Sequence, residues 1–146
     1  MTSSLKQAKN GLTIKQERIA TELEIFQREL REEPEILPKT LVHVVRYVQD
    51  HLFDPELNVN NIKRQFHLRD HNFSVVFRYA LGVTPREYIE TLRMDAAERL
   101  LRNGDLETYL VAMSVGYSHQ ETFFRAFRRR FGCPPSHRRN SDQALK

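Results

Sequence analysis

Apolar residues recur along this chain at helical spacing, and the spacing resets at a few polar or proline-bearing breaks. Ile19, Leu23, Phe26 and Leu30 stand 4, 3 and 4 residues apart, which predicts an amphipathic helix over residues 12–32. Pro34 breaks it and Pro38 opens the next element. Leu41, Val44, Val45, Val48 and Leu52 share one face of a helix over 39–52, closed by the turn Asp54-Pro55. Val59, Ile62 and Phe66 mark a short helix that Asn58 can cap. Phe73 and Phe77 mark the buried side of another, ending near Ala80 before Gly82. Thr84, Pro85 and Glu87 make a start signal of N-cap, first-turn proline and capping-box glutamate. The helix they open runs to about Arg102, with Tyr88, Ile89, Leu92, Ala96, Leu100 and Leu101 on its apolar side, and Asn103-Gly104 ends it. No run alternates as a half-buried strand would, so the expected class is all-α.

The remaining pattern is a copy of the preceding one. A short helix over 107–115 buries Leu110, Val111 and Val115, and Gly116-Tyr117 forms the turn. A longer helix over 119–131 carries Phe123, Phe127 and Phe131, and Gly132 stops it before Pro134-Pro135. Phe73, Phe77, Gly82 and Pro85 recur fifty residues later as Phe123, Phe127, Gly132 and Pro135. Upstream of the turn the offset is forty-nine, pairing Ile62 with Val111, Phe66 with Val115 and Leu68 with Tyr117. Short helix, tight turn, longer helix and glycine stop, given twice, make two helix-turn-helix units. Helix 85–102 joins them.

Charge adds a direction to this picture. Residues 1–37 carry a net charge of about −1 and residues 38–146 about +5, within a total of +4. Arg125, Arg128, Arg129, Arg130, Arg138 and Arg139 fall in fifteen residues that contain no acid. Such a run is either a solvated face or a phosphate-binding patch. The single cysteine, Cys133, excludes an intrachain disulfide and matches the apolar slot of Val83 in the repeat. No His or Asn partner is arranged to activate it, the six histidines lack metal-ligand spacing, and no glycine-rich phosphate loop is present, so no enzyme, metal or cofactor is expected. The start of the chain lacks the apolar core of a signal peptide and no stretch approaches membrane-spanning length, so no membrane contact and a cytoplasmic location are expected.

A recognition helix needs one apolar face for its domain and one polar face free for the major groove. In the second unit Phe123, Phe127 and Phe131 take the buried side. Gln120, Glu121, Phe124, Arg125, Arg128 and Arg129 take the other. Gln and Arg pair bidentately with adenine and guanine edges, whereas Phe124 suits either a thymine methyl or the core. Glu121 suits a cytosine amine, or repels phosphates and sharpens selectivity. The first unit turns outward a weaker set: Asp70, His71, Ser74, Val75 and Arg78.

Residues 111–135, VAMSVGYSHQETFFRAFRRRFGCPP, resemble the signature of the AraC/XylS family of bacterial transcription regulators. Val111, Ala112, Gly116, Tyr117, Phe123, Arg125, Phe127, Arg128, Phe131, Gly132 and Pro135 match it, as do Tyr88, Arg93, Ala97, Leu100 and Leu101 in the joining helix. The resemblance covers about residues 40–139. It implies two recognition helices in successive major grooves of double-stranded DNA and a rigid linker helix; RNA polymerase is an expected partner, and an activator is expected with repression left open. It maps base-reading onto Gln120, Glu121 and Arg125 in the second unit and onto His71, Ser74 and Val75 in the first; Phe124 joins the expected base readers, and phosphate contacts are expected of Lys63, Arg78, His119, Arg128 and Arg129. Five departures stand out: Val75 replaces a usual Arg, Lys63 a small residue, His67 a turn residue that is often Gly, Arg69 a capping Ser, and Arg138 a Tyr.

The expected organisation is an N-terminal helical extension over 1–37 and a DNA-binding domain over 38–139, with the first unit at about 58–82, the linker at 85–102 and the second unit at about 107–132. A disordered tail over 140–146 follows. Residues 12–32 form either a helix packed on its own domain or a homodimer helix. Most members of the family carry a sensory domain for which 1–37 is too short, so the chain resembles either the short members or a piece of a longer regulator. The rival to DNA reading is a protein-interaction module that modulates another regulator or RNA polymerase.

Overall fold

A computed structural model describes residues 2–32, 36–68, 72–102 and 104–144, with side chains over 14–31, 36–68, 72–102 and 104–139. Every regular element among them is a helix: α1 (Thr2–Glu32), α2 (Lys39–Asp50), α3 (Val59–Gln65), α4 (Asn72–Leu81), α5 (Pro85–Leu101), α6 (Thr108–Ser114), α7 (Gln120–Phe131) and α8 (Pro135–Ala144). The starts follow the capping residues. The Asn58 side chain accepts from the Asn61 amide at 2.8 Å, and Thr84 and Glu87 close a complete capping box at the head of α5.

The helices enclose two apolar cores. The first joins Leu41, Val44, Val45 and Val48 of α2 to Ile62 of α3, Phe73 and Phe77 of α4 and Ile89 of α5. The second joins Met94, Ala97, Leu100 and Leu101 of α5 to Val111 and Ala112 of α6 and to Phe123, Ala126 and Phe127 of α7. Phe77, Phe123 and Phe127 are completely buried, and each contributes about 1.5–3 kcal/mol by leaving water. The α5 helix thus gives its first half to one core and its second half to the other. That sharing is why Met94 and Ala97 are buried although they lie off the stripe that periodicity singles out.

The α1 helix is longer than residues 12–32, and its apolar stripe is seated on the same chain. Ile19 and Leu23 enter the second core, Leu30 packs on the first, and Phe26 touches both. Polar contacts fix it. Arg99 of α5 donates to Glu22 at 3.1 Å and to Glu29 at 2.8 Å, Arg18 donates to Asp105 at 2.6 Å, and the Gln27 amide donates to the Gln49 carbonyl at 3.0 Å. Arg31 also pairs with Asp50.

A helix replaces the start of the expected tail, because α8 runs from Pro135 to Ala144. Pro135 opens it as Pro85 opens α5, so the repeat extends one element beyond the glycine stop. No described helix is long and apolar enough to cross a membrane.

Candidate nucleic-acid interface

The two units share their turn geometry, not only their apolar pattern. The Leu68 amide donates to the Lys63 carbonyl at 2.8 Å, and the Tyr117 amide to the Ala112 carbonyl at 3.0 Å, the same bond forty-nine residues on. His67 and Gly116 occupy the matching bend, at φ +53° and +102°. The left-handed bend that Gly116 makes without strain is thus imposed on a histidine in the first unit. Lys63, half-buried, stands where Ala112 is buried in the second core.

Arg93 joins the units from inside. Only 7% exposed, it donates Nε to the Leu52 carbonyl and Nη2 to the Asp54 carbonyl, both at 2.8 Å. Its guanidinium also lies 5.5 Å from the centre of the Tyr117 ring. Burial lowers its pKa from the ordinary arginine value, and burial raises that of Tyr117. The carbonyls and the ring supply the partners a buried cation requires. One residue of the linker thereby ties the loop after α2 to the turn of the second unit.

The α7 helix turns Gln120, Glu121, Arg125 and Arg128 outward, all exposed, while Phe123, Ala126 and Phe127 face the core. Glu121 sits in the first turn, where the helix N-terminus favours a carboxylate. His119 is exposed at the N-cap and makes no side-chain capping bond. Phe124 is half-buried, packs on the second core and lies 6.2 Å from the Phe123 ring, so much of it is committed to the domain.

The arginine run divides. Arg129 donates to Glu90 at 3.1 Å and Arg130 to Asp95 at 3.1 Å. The Glu90 bond raises the Arg129 pKa. Arg138 lies 3.8 Å from Glu98 and 5.0 Å from the Phe131 ring centre, and Arg139 donates to the Gly104 carbonyl at 3.0 Å. Four of the six arginines therefore brace α7 and α8 against the linker and the loop that follows it. Arg125 and Arg128 have no ion pair or side-chain hydrogen bond among the described residues. The sequence does not signal this because the acids lie 35 to 40 residues upstream, on α5.

In the first unit, Ser74 is half-buried and Val75 and Arg78 are exposed on α4. His71 lies outside the described residues. Cys133 is free and half-buried. Among the described residues no group of three or more His, Cys, Asp or Glu could hold a metal.

Two helix-turn-helix units on a common linker helix define the class of protein. Residues 62–141 match the helix-turn-helix domain family, and the chain belongs to its AraC-type members. It is 35% identical over 100 residues to the transcriptional regulator ExsA of Pseudomonas aeruginosa, covering 66% of this chain and 36% of ExsA. It is 36% identical over 81 residues to the virulence regulon transcriptional activator VirF of Yersinia enterocolitica, covering 56% of this chain and 30% of VirF. The chain thus spans about a third of the length of these curated relatives. Among solved structures it resembles the DNA-binding domain of the transcriptional factor AdpA in complex with a target DNA, with TM-score 0.67, 26% identity, and coverage of 75% of this chain and 97% of that one. The C-terminal domain of AraT from Geobacillus stearothermophilus shares the fold at TM-score 0.69 and 23% identity, covering 73% of this chain and 88% of that one.

Proposed function

We propose that this chain is a sequence-specific, DNA-binding transcription regulator that lays α4 and α7 into successive major grooves, with α7 the main reader. The observation that carries this is the outward face of α7: Gln120, Arg125 and Arg128 are exposed, Arg128 without an ion pair among the described residues, on a helix whose other face is locked in the core. Gln and Arg are the residues that read adenine and guanine edges, and Arg128 is a cation for phosphate. Arg78 on α4 and His119 at the head of α7 are exposed and would suit phosphate contact, as would the half-buried Lys63 on α3. Arg129 would have to share its guanidinium with Glu90. Support for DNA as the partner comes from AdpA, whose DNA-binding domain is the structural relative solved on its target.

VirF is by name a transcriptional activator, which favours activation as the outcome of binding; RNA polymerase as a second partner, a bacterial cytoplasmic location and the lack of a catalytic role complete the proposal. A homodimer through residues 12–32 would use the outward face of α1, since Ile19 and Leu23 are already buried. The test is DNA binding measured by fluorescence anisotropy over a salt series. Arg125→Ala is expected to cost about 1–3 kcal/mol on a specific duplex and little on a random one. Arg128→Ala is expected to weaken both alike and to lower the salt slope by about 1. Salt-independent binding, or an Arg125→Ala variant with the parent's preference, would overturn the reading.

A further inference from the structure

We propose that the first recognition helix is a thymine reader, with Val75 presenting its methyl groups to the 5-methyl of a thymine in its half-site. The inference rests on the DNA-binding reading above and adds a specificity to it.

The internal repeat places Val75 at the station of Arg125, two residues past the buried Phe73 as Arg125 is past the buried Phe123. Both side chains are exposed, Val75 by 66%. Of the seven large hydrophobic residues exposed among the described residues, three lie on this ten-residue helix: Val75, Val76 and Tyr79. They are spaced one and three apart, so they share a side of α4. Cations are near the patch in the chain, whereas Asp70 lies outside the described residues. Arg78 is on the same helix, Lys63 and Arg64 are on the preceding one, and α4 itself contains no Asp or Glu.

An apolar patch on a helix that carries Arg78 and no acid over Asn72–Leu81 fits a polyanion with apolar spots. In the major groove only thymine presents one, its 5-methyl group. Val75 can neither donate nor accept a hydrogen bond. Against guanine, adenine or cytosine it would strip water from polar edges and return nothing, so it disfavours them as well as favouring thymine. The substitution of Val for a usual Arg thus changes which base the first unit reads.

The test uses a duplex selected by the parent chain from a random pool. Each thymine of the first half-site is replaced singly by deoxyuridine, which removes the methyl group and keeps the base pair. The parent is expected to bind one of these duplexes about fourfold more weakly, the worth of one buried methyl. Val75→Ala is expected to bind the thymine and deoxyuridine duplexes equally, and Val75→Arg to shift the preference at that position to guanine. Val75 is exposed, so both variants should keep the parent's circular dichroism and melting temperature. A parent indifferent to every deoxyuridine in the first half-site, or a Val75→Ala variant that keeps the full loss, overturns the proposal and leaves DNA binding intact. A parent that binds its selected duplex no better than a scrambled one overturns both.

Discussion

The guanidinium of Arg93 lies where a side chain on Gly116 would begin. A Cβ built on Gly116 would meet Arg93 Cζ at 2.9 Å, and Gly116 itself holds φ at +102°. The turn of the second unit and the linker helix therefore fit only because one residue has no side chain and the other is held straight by two carbonyls.

Gly116→Ala is expected to lose at least about 2 kcal/mol of stability. Left-handed backbone strain costs on the order of 1–3 kcal/mol, and the displaced Arg93 weakens its two charged hydrogen bonds. Urea denaturation checks this. A variant as stable as the parent would show that the contact does not position the unit.

Ile19→Ala is expected to cost about 2–4 kcal/mol, because Ile19 is 5% exposed among Met94, Leu101 and Leu106 of the second core. Ile14→Ala, on the same helix but 57% exposed, should stay within about 0.5 kcal/mol of the parent. Thermal melts of the two variants check whether α1 is docked. Equal small effects would mean that it is not.

Asp105 gives the docking of α1 a pH dependence. The hydrogen bond from Arg18 holds its carboxyl below the usual carboxylate value. A carboxyl with a lowered folded pKa stabilises above its unfolded pKa and loses that contribution as pH falls through the folded value. Asp105→Asn should therefore melt slightly below the parent at pH 7, and the two should converge as pH drops below about 4. A gap of constant size across that range would rule out the ion pair as its cause.

Sequence patterning carries the architecture far because each unit is built from local signals. Asn58 and Thr84 cap the helices they precede, and Phe73, Phe77, Phe123 and Phe127 bury on the faces their spacing assigns. The elements that escape it depend on partners remote in the chain. Pro134-Pro135 reads locally as a stop, whereas the α8 helix that Pro135 opens is held by the packing of Arg138 over Phe131 and the bond from Arg139 to Gly104. Arg93 carries no apolar signal, yet it is buried because the Leu52 and Asp54 carbonyls converge on it. In the candidate interface, the outward face of α7 was legible from helical periodicity. The commitment of Arg129 and Arg130 to Glu90 and Asp95 was not, since no local rule relates residues 39 and 35 positions apart.

Selection of bound sequences from a random DNA pool tests the central claim most directly. The expected result is a motif of two half-sites about one helical turn, roughly 10 base pairs, apart, with the stronger half assigned to α7 because Arg125→Ala relaxes one guanine within it. Recovery of no motif at all, with the parent chain folded and saturating, would contradict it.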